Sequence, residues 1–424
     1  MVKSYKFKYL VIIGTAICSA AMLWGQDDNQ AELRENPEMD SDKNINYTLP
    51  KIEYPQYINL DANHINMNND DWSDLVEHID LSDNQLVNIV HIGDSHLQAD
   101  MATAVTRLRL GEHYGSGGRA LVTPFKLAGT NEPVDYSITT DVSLLQSRLL
   151  KLPWQTAMGF TGIGIRPLKE TFNINISTKE PFDSIAIYYS GDSLYVLNDC
   201  TMDLKAGIAS IALSDTCSNI SLQMKSRGKV DIHGFNLVHG KSGIAYHVIG
   251  NNGATFFHYN GIRNFARDIS SFDPSLIIIS LGTNEAFGRT SDEEMMTQMK
   301  TMISTLKTQC PKACFLLTTP SECQRRTYRG SGRRRRRTGY AVNTNVKRLR
   351  NVILEFANKE NIPVYDFYAI AGGDGSSTKW LNDGKMNKDR VHLLRPGYTL
   401  QGNLFTDALE EAFQKFRNNN TSSL

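Results

Sequence analysis

The stretch VNIVHIGDSHLQAD, residues 87–100, decides how the chain folds. Val87, Ile89, Val90 and Ile92 make a short apolar run, the composition of a strand covered on both faces. Gly93, Asp94 and Ser95 follow as a tight turn. The segment LQADMATAVTRLRLGEHYG (97–115) then carries helical spacing that ends near Gly115. A strand that turns straight into a helix sets Ser95 at the carboxyl edge of a sheet, where open α/β sheets bind ligands. It also sets Ser95 at a helix N-terminus, which favours negative charge.

Outward from this point the rhythm changes and then returns. Between residues 117 and 242 the chain shows short alternating runs, among them TFNINIS, DSIAIYY, SLYVLN, NISLQMK and KVDIHGFNLV. Apolar side chains at every second position, separated by turn residues, predict antiparallel strands and an all-β sandwich. From residue 243 to 418, apolar runs such as IAYHVIG, PSLIIISLG and ACFLLTTP alternate with amphipathic helices. That alternation predicts a parallel sheet covered on both faces. The expected organisation is an α/β domain over 61–116 and 243–418, with an all-β domain of 117–242 inserted after its first helix.

The ends of the chain read differently. Lys3, Lys6 and Lys8 precede the apolar LVIIGTAICSAAMLWG, the layout of a secretory signal or an N-terminal anchor over residues 1–25. Residues 26–60 are polar and read as a tether that buries too little to fold. Export to the periplasm, the cell envelope or the medium is the expectation, with any membrane tether made through the N-terminus. An oxidising compartment would let Cys200 and Cys217 bridge a hairpin; pairing among Cys310, Cys314 and Cys323 stays open. Across 424 residues, 45 Lys and Arg balance 45 Asp and Glu. A charge-balanced, exported chain is a poor nucleic-acid binder.

Four strand ends are chemically loaded. They are GDSH at 93–96, NNGAT at 251–255, GTNEA at 282–286, and KDRVHLLRPGY at 388–398. Acyl transfer needs a nucleophile on a tight turn, a base, an acid to orient the base, and oxyanion donors. Ser95 supplies the first. His392 is the base and Asp389, three residues earlier, fixes its tautomer. Gly253 offers an unobstructed N–H, Asn284 a side-chain amide, and the Ser95 N–H a third donor.

These blocks, in this order, resemble the SGNH (GDSL-type) hydrolase superfamily. The match lies in Gly93-Asp94-Ser95, Gly253, Gly282 with Asn284, and Asp389 with His392. It implies a three-layer, flavodoxin-like parallel sheet and an ester hydrolase without metal or organic cofactor. His96 and Glu285 depart from the commonest pattern. HIGDSHLQAD, the β-rich insertion and WLNDGKMNKDRVHLLRPGY further resemble two-domain bacterial members, including peptidoglycan O-acetylesterases with a carbohydrate-binding-like module. The expected substrate is therefore an O-acetyl ester on peptidoglycan or another glycan. Rival readings are a broad carboxylesterase or lipase, an O-acyltransferase, and a glycan-binding protein on an inactive scaffold.

Other motifs carry weaker expectations. Asp94 reads as a loop acid and His91 as a satisfied core histidine. His96 and Glu285 are candidates for the substrate mouth. GSGGRA (115–120) lacks the ending of a phosphate loop and reads as a domain junction. Arg333 to Arg337, within RRTYRGSGRRRRRTGY (325–340), read as a solvated loop. Their sharper reading is an anionic-substrate clamp, with Arg333 and Arg335 its contacts. Trp154, Tyr188, Tyr189 and Tyr195 are either core or a sugar-stacking platform.

Overall fold

The computed structural model describes residues 53–198, 200–205, 207–330 and 336–421. The expected signal or anchor, most of the expected tether, and the predicted contacts Arg333 and Arg335 lie outside the described residues.

Six strands form the main sheet: β1 (Ile65–Asn66), β2 (Leu86–Gly93), β3 (Gly243–Gly250), β4 (Leu276–Ser280), β5 (Cys314–Thr318) and β6 (Val364–Tyr365). Their spatial order is β1-β6-β5-β4-β2-β3, parallel throughout except for β1. Alternate side chains of one strand feed two separate cores. Val90 and Ile92 of β2 join Ile277, Ile279 and Leu317 on one side. Val87 and Ile89 join Ile278, Leu316 and Tyr246 on the other. This double burial is why the strands read as continuous apolar runs.

Helices complete each core. Met295, Met299 and Leu306 of α6 (Asp292–Gln309) and Leu349, Ile353 and Phe356 of α7 (Thr344–Lys359) close the first. The second is closed by α1 (Ser73–Asp80), α3 (Met101–Tyr114) and α8 (Arg395–Thr421). The short α2 (Ser95–Gln98), α4 (Phe256–Asn260) and α5 (Thr283–Phe287) begin just beyond strand ends.

Part of the expected tether is in fact packed. Ile58 lies in the second core, Tyr57 donates to Asp383 at 2.6 Å, and Tyr54 donates to Asp407. The apolar anchors are sparse in sequence but land on the helical layer.

Residues 117–242 form an antiparallel unit around its own core of Phe172, Ile174, Ile187, Leu222, Met224 and Ile232. Its strands belong to one hydrogen-bonded sheet in which Ala120–Val122 and Thr201–Lys205 pair with the long strand Ile208–Val238 off the main path, in place of the two separate sheets a sandwich implies. Two long strands, Thr171–Val196 and Ile208–Val238, pair with several register shifts. Such irregularities bend a sheet, so one sheet can enclose a core. Cys217 is a thiol, so the expected bridge to Cys200 is not formed.

The arginine-rich segment is not a plain loop. Gln324–Arg329 pairs antiparallel with Arg336–Val342 as a hairpin. Thr327, Tyr328, Thr338 and Tyr340 supply the β-forming residues that the arginine count obscures.

Candidate active site

The parallel register of β2, β3 and β4 brings three turns to one edge. Gly93 is opposite Gly250 on one side and Ser280 on the other. A Cβ on Gly93 would lie 2.7 Å from a Leu97 methyl and 2.8 Å from the Ser280 carbonyl. Only glycine therefore lets β2 turn so tightly into α2. The Asp94 carboxylate caps α2 by accepting the His96 N–H at 2.9 Å.

Ser95 and His392 are 297 residues apart in sequence, yet Ser95 Oγ lies 2.8 Å from His392 Nε2. His392 Nδ1 lies 2.7 Å from Asp389 Oδ2. Asp389 Oδ1 also accepts the backbone N–H groups of Val391 and His392 at 2.9 and 3.0 Å. An acceptor-only carboxylate on Nδ1 requires the proton there, leaving Nε2 a lone pair aimed at the serine hydroxyl. Burial alone would raise the Asp389 carboxyl. The hydrogen bond and charge of His392, with the two backbone donors, outweigh it and hold the group below its ordinary value.

Gly253 sits at φ +81°, in the left-handed region, and a Cβ there would approach a Leu150 methyl at 2.9 Å. Asn284, on α5, directs its amide nitrogen to Asp94 Oδ2 at 3.2 Å and the Ala254 carbonyl at 3.0 Å. It thus ties the GTN block to both the nucleophile turn and the Gly253 loop. Asp94 is accordingly more than a loop acid. Burial pushes its carboxyl up to about 6, against the hydrogen bond from His96 and the charge of His392.

Of the two residues expected at the substrate mouth, Glu285 turns inward and His96 lies beside the triad. Glu285 is buried and accepts the Phe256 N–H at 2.9 Å, at the start of α4. Burial raises its carboxyl to about 7. All five residues of α5 are buried, so an acid next to Asn284 has no solvent-facing side of the helix to occupy. His96 is half-buried, shares a hydrogen bond with the Tyr398 hydroxyl at 3.0 Å, and packs 5.3 Å from the His392 ring. Burial first, and then His392, lower its pKa to about 3, so it stays neutral beside the triad. His91 joins Tyr246 at 2.7 Å and Ser280 at 2.6 Å within the sheet.

Sequence reasoning missed Gln98, Thr130, Asn131 and Asn252. Gln98 Nε2 donates to Thr130 Oγ1 at 3.0 Å and Asn131 Oδ1 at 2.8 Å, while its Oε1 accepts the Asn252 N–H at 2.8 Å. Asn252 Nδ2 donates to Asn131 Oδ1 at 2.8 Å. Polar residues scattered over three segments leave no periodic signal. The aromatic platform divides: Trp154, Tyr188 and Tyr189 line a cavity of about 560 Å³ between the two units. Tyr195 lies apart, beneath the Arg227 guanidinium.

Residues 235–400 match the GDSL-like Lipase/Acylhydrolase family. A solved structure titled as a peptidoglycan O-acetylesterase in action superposes with a TM-score of 0.68 at 20% identity, covering 85% of this chain and 98% of its own. A putative acylhydrolase from Bacteroides fragilis is 19% identical, covering 40% of this chain and 76% of its own, with a TM-score of 0.31. No curated protein sequence matches. The family match spans the Gly253, GTN and D-x-x-H blocks, and the first structure shares the fold of both units.

Proposed function

We propose that the protein removes O-acetyl groups from a glycan through an acyl-enzyme on Ser95. The observation that carries this reading is the relay Ser95–His392–Asp389, set at the carboxyl edge of the sheet within a linked set of donors. His392 Nε2 takes the hydroxyl proton as Ser95 Oγ bonds to the acetyl carbonyl carbon, and the carbonyl electron pair moves to oxygen. The Ser95 and Gly253 N–H groups and the Asn284 amide meet that oxyanion. The longer of the two Asn284 bonds, to Asp94, is the one it would replace. Collapse expels the sugar oxygen, which receives the proton from His392. Water, deprotonated by the same nitrogen, then releases acetate and restores Ser95.

The glycan part of the reading draws on two supports. The structure titled as a peptidoglycan O-acetylesterase matches over 98% of its own length. The cavity between the units offers the half-buried Tyr189 and the exposed Trp154, flat faces suited to sugar rings. The test is acetate release from O-acetylated peptidoglycan and from acetylated xylan by the wild type and Ser95→Ala. The reading expects Ser95-dependent release from at least one. Turnover of p-nitrophenyl acetate with neither glycan cleaved would overturn it in favour of a small-ester carboxylesterase.

A further inference from the structure

Many arginines in the fold are neutralised where they stand. Arg107, Arg109, Arg119, Arg166, Arg350 and Arg417 each pair with a carboxylate. The hairpin gathers several more arginines in one short stretch. Its two described strands, residues 324–329 and 336–342, hold five arginines and no Asp or Glu. Arg329, Arg336 and Arg337 are exposed, and among the described residues none has a carboxylate partner. Crowding like charges on one short hairpin costs self-repulsion, which an anionic ligand would relieve.

This charge is fixed beside the catalytic loop. The Gln324 N–H donates to the Arg390 carbonyl at 2.9 Å. The Arg390 guanidinium donates to Gln324 Oε1 at 2.6 Å. The Tyr340 hydroxyl donates to the Lys388 carbonyl at 3.0 Å. The Tyr340 ring is flanked by two guanidiniums, with the Arg390 carbon 4.2 Å and the Arg337 carbon 4.8 Å from its centroid. Lys388 and Arg390 are the two neighbours of Asp389 in the chain. The hairpin foot and the triad acid therefore share one loop.

We infer that the two paired strands, through Arg329, Arg336 and Arg337, bind the carboxylates of an acidic glycan and hold the polymer at the Ser95–His392 mouth. The inference rests on the glycan-esterase reading and adds the substrate's charge. Guanidiniums match carboxylates in paired hydrogen bonds, and several weak contacts on one strand add up without any deep pocket. Rim charges of this kind act on capture more than on the chemical step, so the signal belongs in KM and in salt dependence.

The experiment compares the wild type with R329Q/R336Q/R337Q and, to spare the Tyr340 stack, with R329Q/R336Q. Substrates are O-acetylated polygalacturonate, O-acetylated neutral xylan and p-nitrophenyl acetate. For the wild type, kcat/KM on the acidic polymer relative to p-nitrophenyl acetate should fall about tenfold or more between about 0.01 M and about 1 M salt, as the screening length shrinks from about 30 to about 3 Å. Both variants should start low on that ratio and stay flat, while the xylan ratio is unmoved. Binding of deacetylated polygalacturonate, measured on each full-length chain, separates the inference from the esterase reading. Wild-type binding that the variants lose supports the hairpin even if no glycan ester is cleaved. Equal binding by wild type and variants overturns it. So does wild-type binding to phosphatidylglycerol vesicles without binding to the polymer.

Discussion

Asp389→Asn isolates one feature of the relay, the tautomer of His392. Asp389 makes three hydrogen bonds: two from backbone N–H groups to Oδ1 and one from the imidazole to Oδ2. An asparagine has one acceptor oxygen and one donor NH2. Oxygen facing the backbone keeps both N–H bonds and turns the NH2 toward Nδ1. The reverse orientation sets a donor against two donors, and each buried group left unpaired costs about 1–3 kcal/mol. The first orientation wins, so Nδ1 must become an acceptor and the proton moves to Nε2. That nitrogen then faces Ser95 with a hydrogen and has no lone pair to take the serine proton. The wrong tautomer at this position is worth about 10⁴ in kcat, or about 5 kcal/mol of barrier. The shape and the two backbone bonds survive, so the fold should persist. The assay is kcat/KM on p-nitrophenyl acetate near neutral pH, with a thermal melt of each chain. A variant that melts like the wild type and keeps activity within about tenfold would refute the reasoning, because the carboxylate would then not set the tautomer.

Asn284→Ala removes the amide between Asp94 and the Ala254 carbonyl; kcat should fall about 10²–10³, the usual loss for one oxyanion donor, with KM little changed. A loss confined to KM would move Asn284 from oxyanion donor to ground-state binding. Glu285→Gln tests the buried acid. Its folded pKa is raised from 4.5 to about 7, so the stability its protonated form supplies is whole below about pH 4.5 and is lost as pH climbs through about 7. The shift corresponds to about 3 kcal/mol. Melting from pH 5 to pH 8 should therefore cost the wild type more stability than Glu285→Gln, and a pH-independent gap between the two would contradict a burial-raised carboxyl.

The parts of this protein that sequence discloses are those governed by local period and by fixed spacing. Val87 to Ile92 read as a two-face strand because both faces are covered, and the register of β2, β3 and β4 carries Ser95, Gly253 and Asn284 to one edge. Asp389 and His392 sit three apart on one turn, so their mutual geometry is local too. What stayed hidden depends on partners far along the chain. Glu285 reads as a candidate for the substrate mouth, and only the fold shows it buried with the Phe256 N–H as its partner. Tyr54 and Ile58 read as tether because the layer they pack on is built from residues hundreds of positions later. The segments flanking the arginine run read as loop because charge counts say nothing of Thr327 pairing with Gly339 across a hairpin.

The antiparallel unit is the place where these two kinds of information meet. Its alternating strands announce a separate core, and that core exists, but at the boundary Leu121, Phe160 and Tyr188 also join the hydrolase's first core beside Phe272, and a set of polar contacts lies alongside. Arg107 and Arg119 bury their guanidiniums between Asp100, at the end of the nucleophile turn, and Asp135 of the inserted segment. Breaking such a buried set by removing one member costs about 3–5 kcal/mol, because the remaining charges lose their partners. Above it, Thr130 and Asn131 reach back to Gln98 and Asn252, the residues that follow Ser95 on its helix and precede Gly253 in its loop. The nucleophile and the second oxyanion donor are thus spaced by side chains that belong to the inserted unit. A hydrolase whose reacting groups must be held to a fraction of an ångström gains that rigidity from the unit that also forms one wall of the 560 Å³ cavity. Under the proposed function, glycan capture and acyl transfer are two uses of one junction.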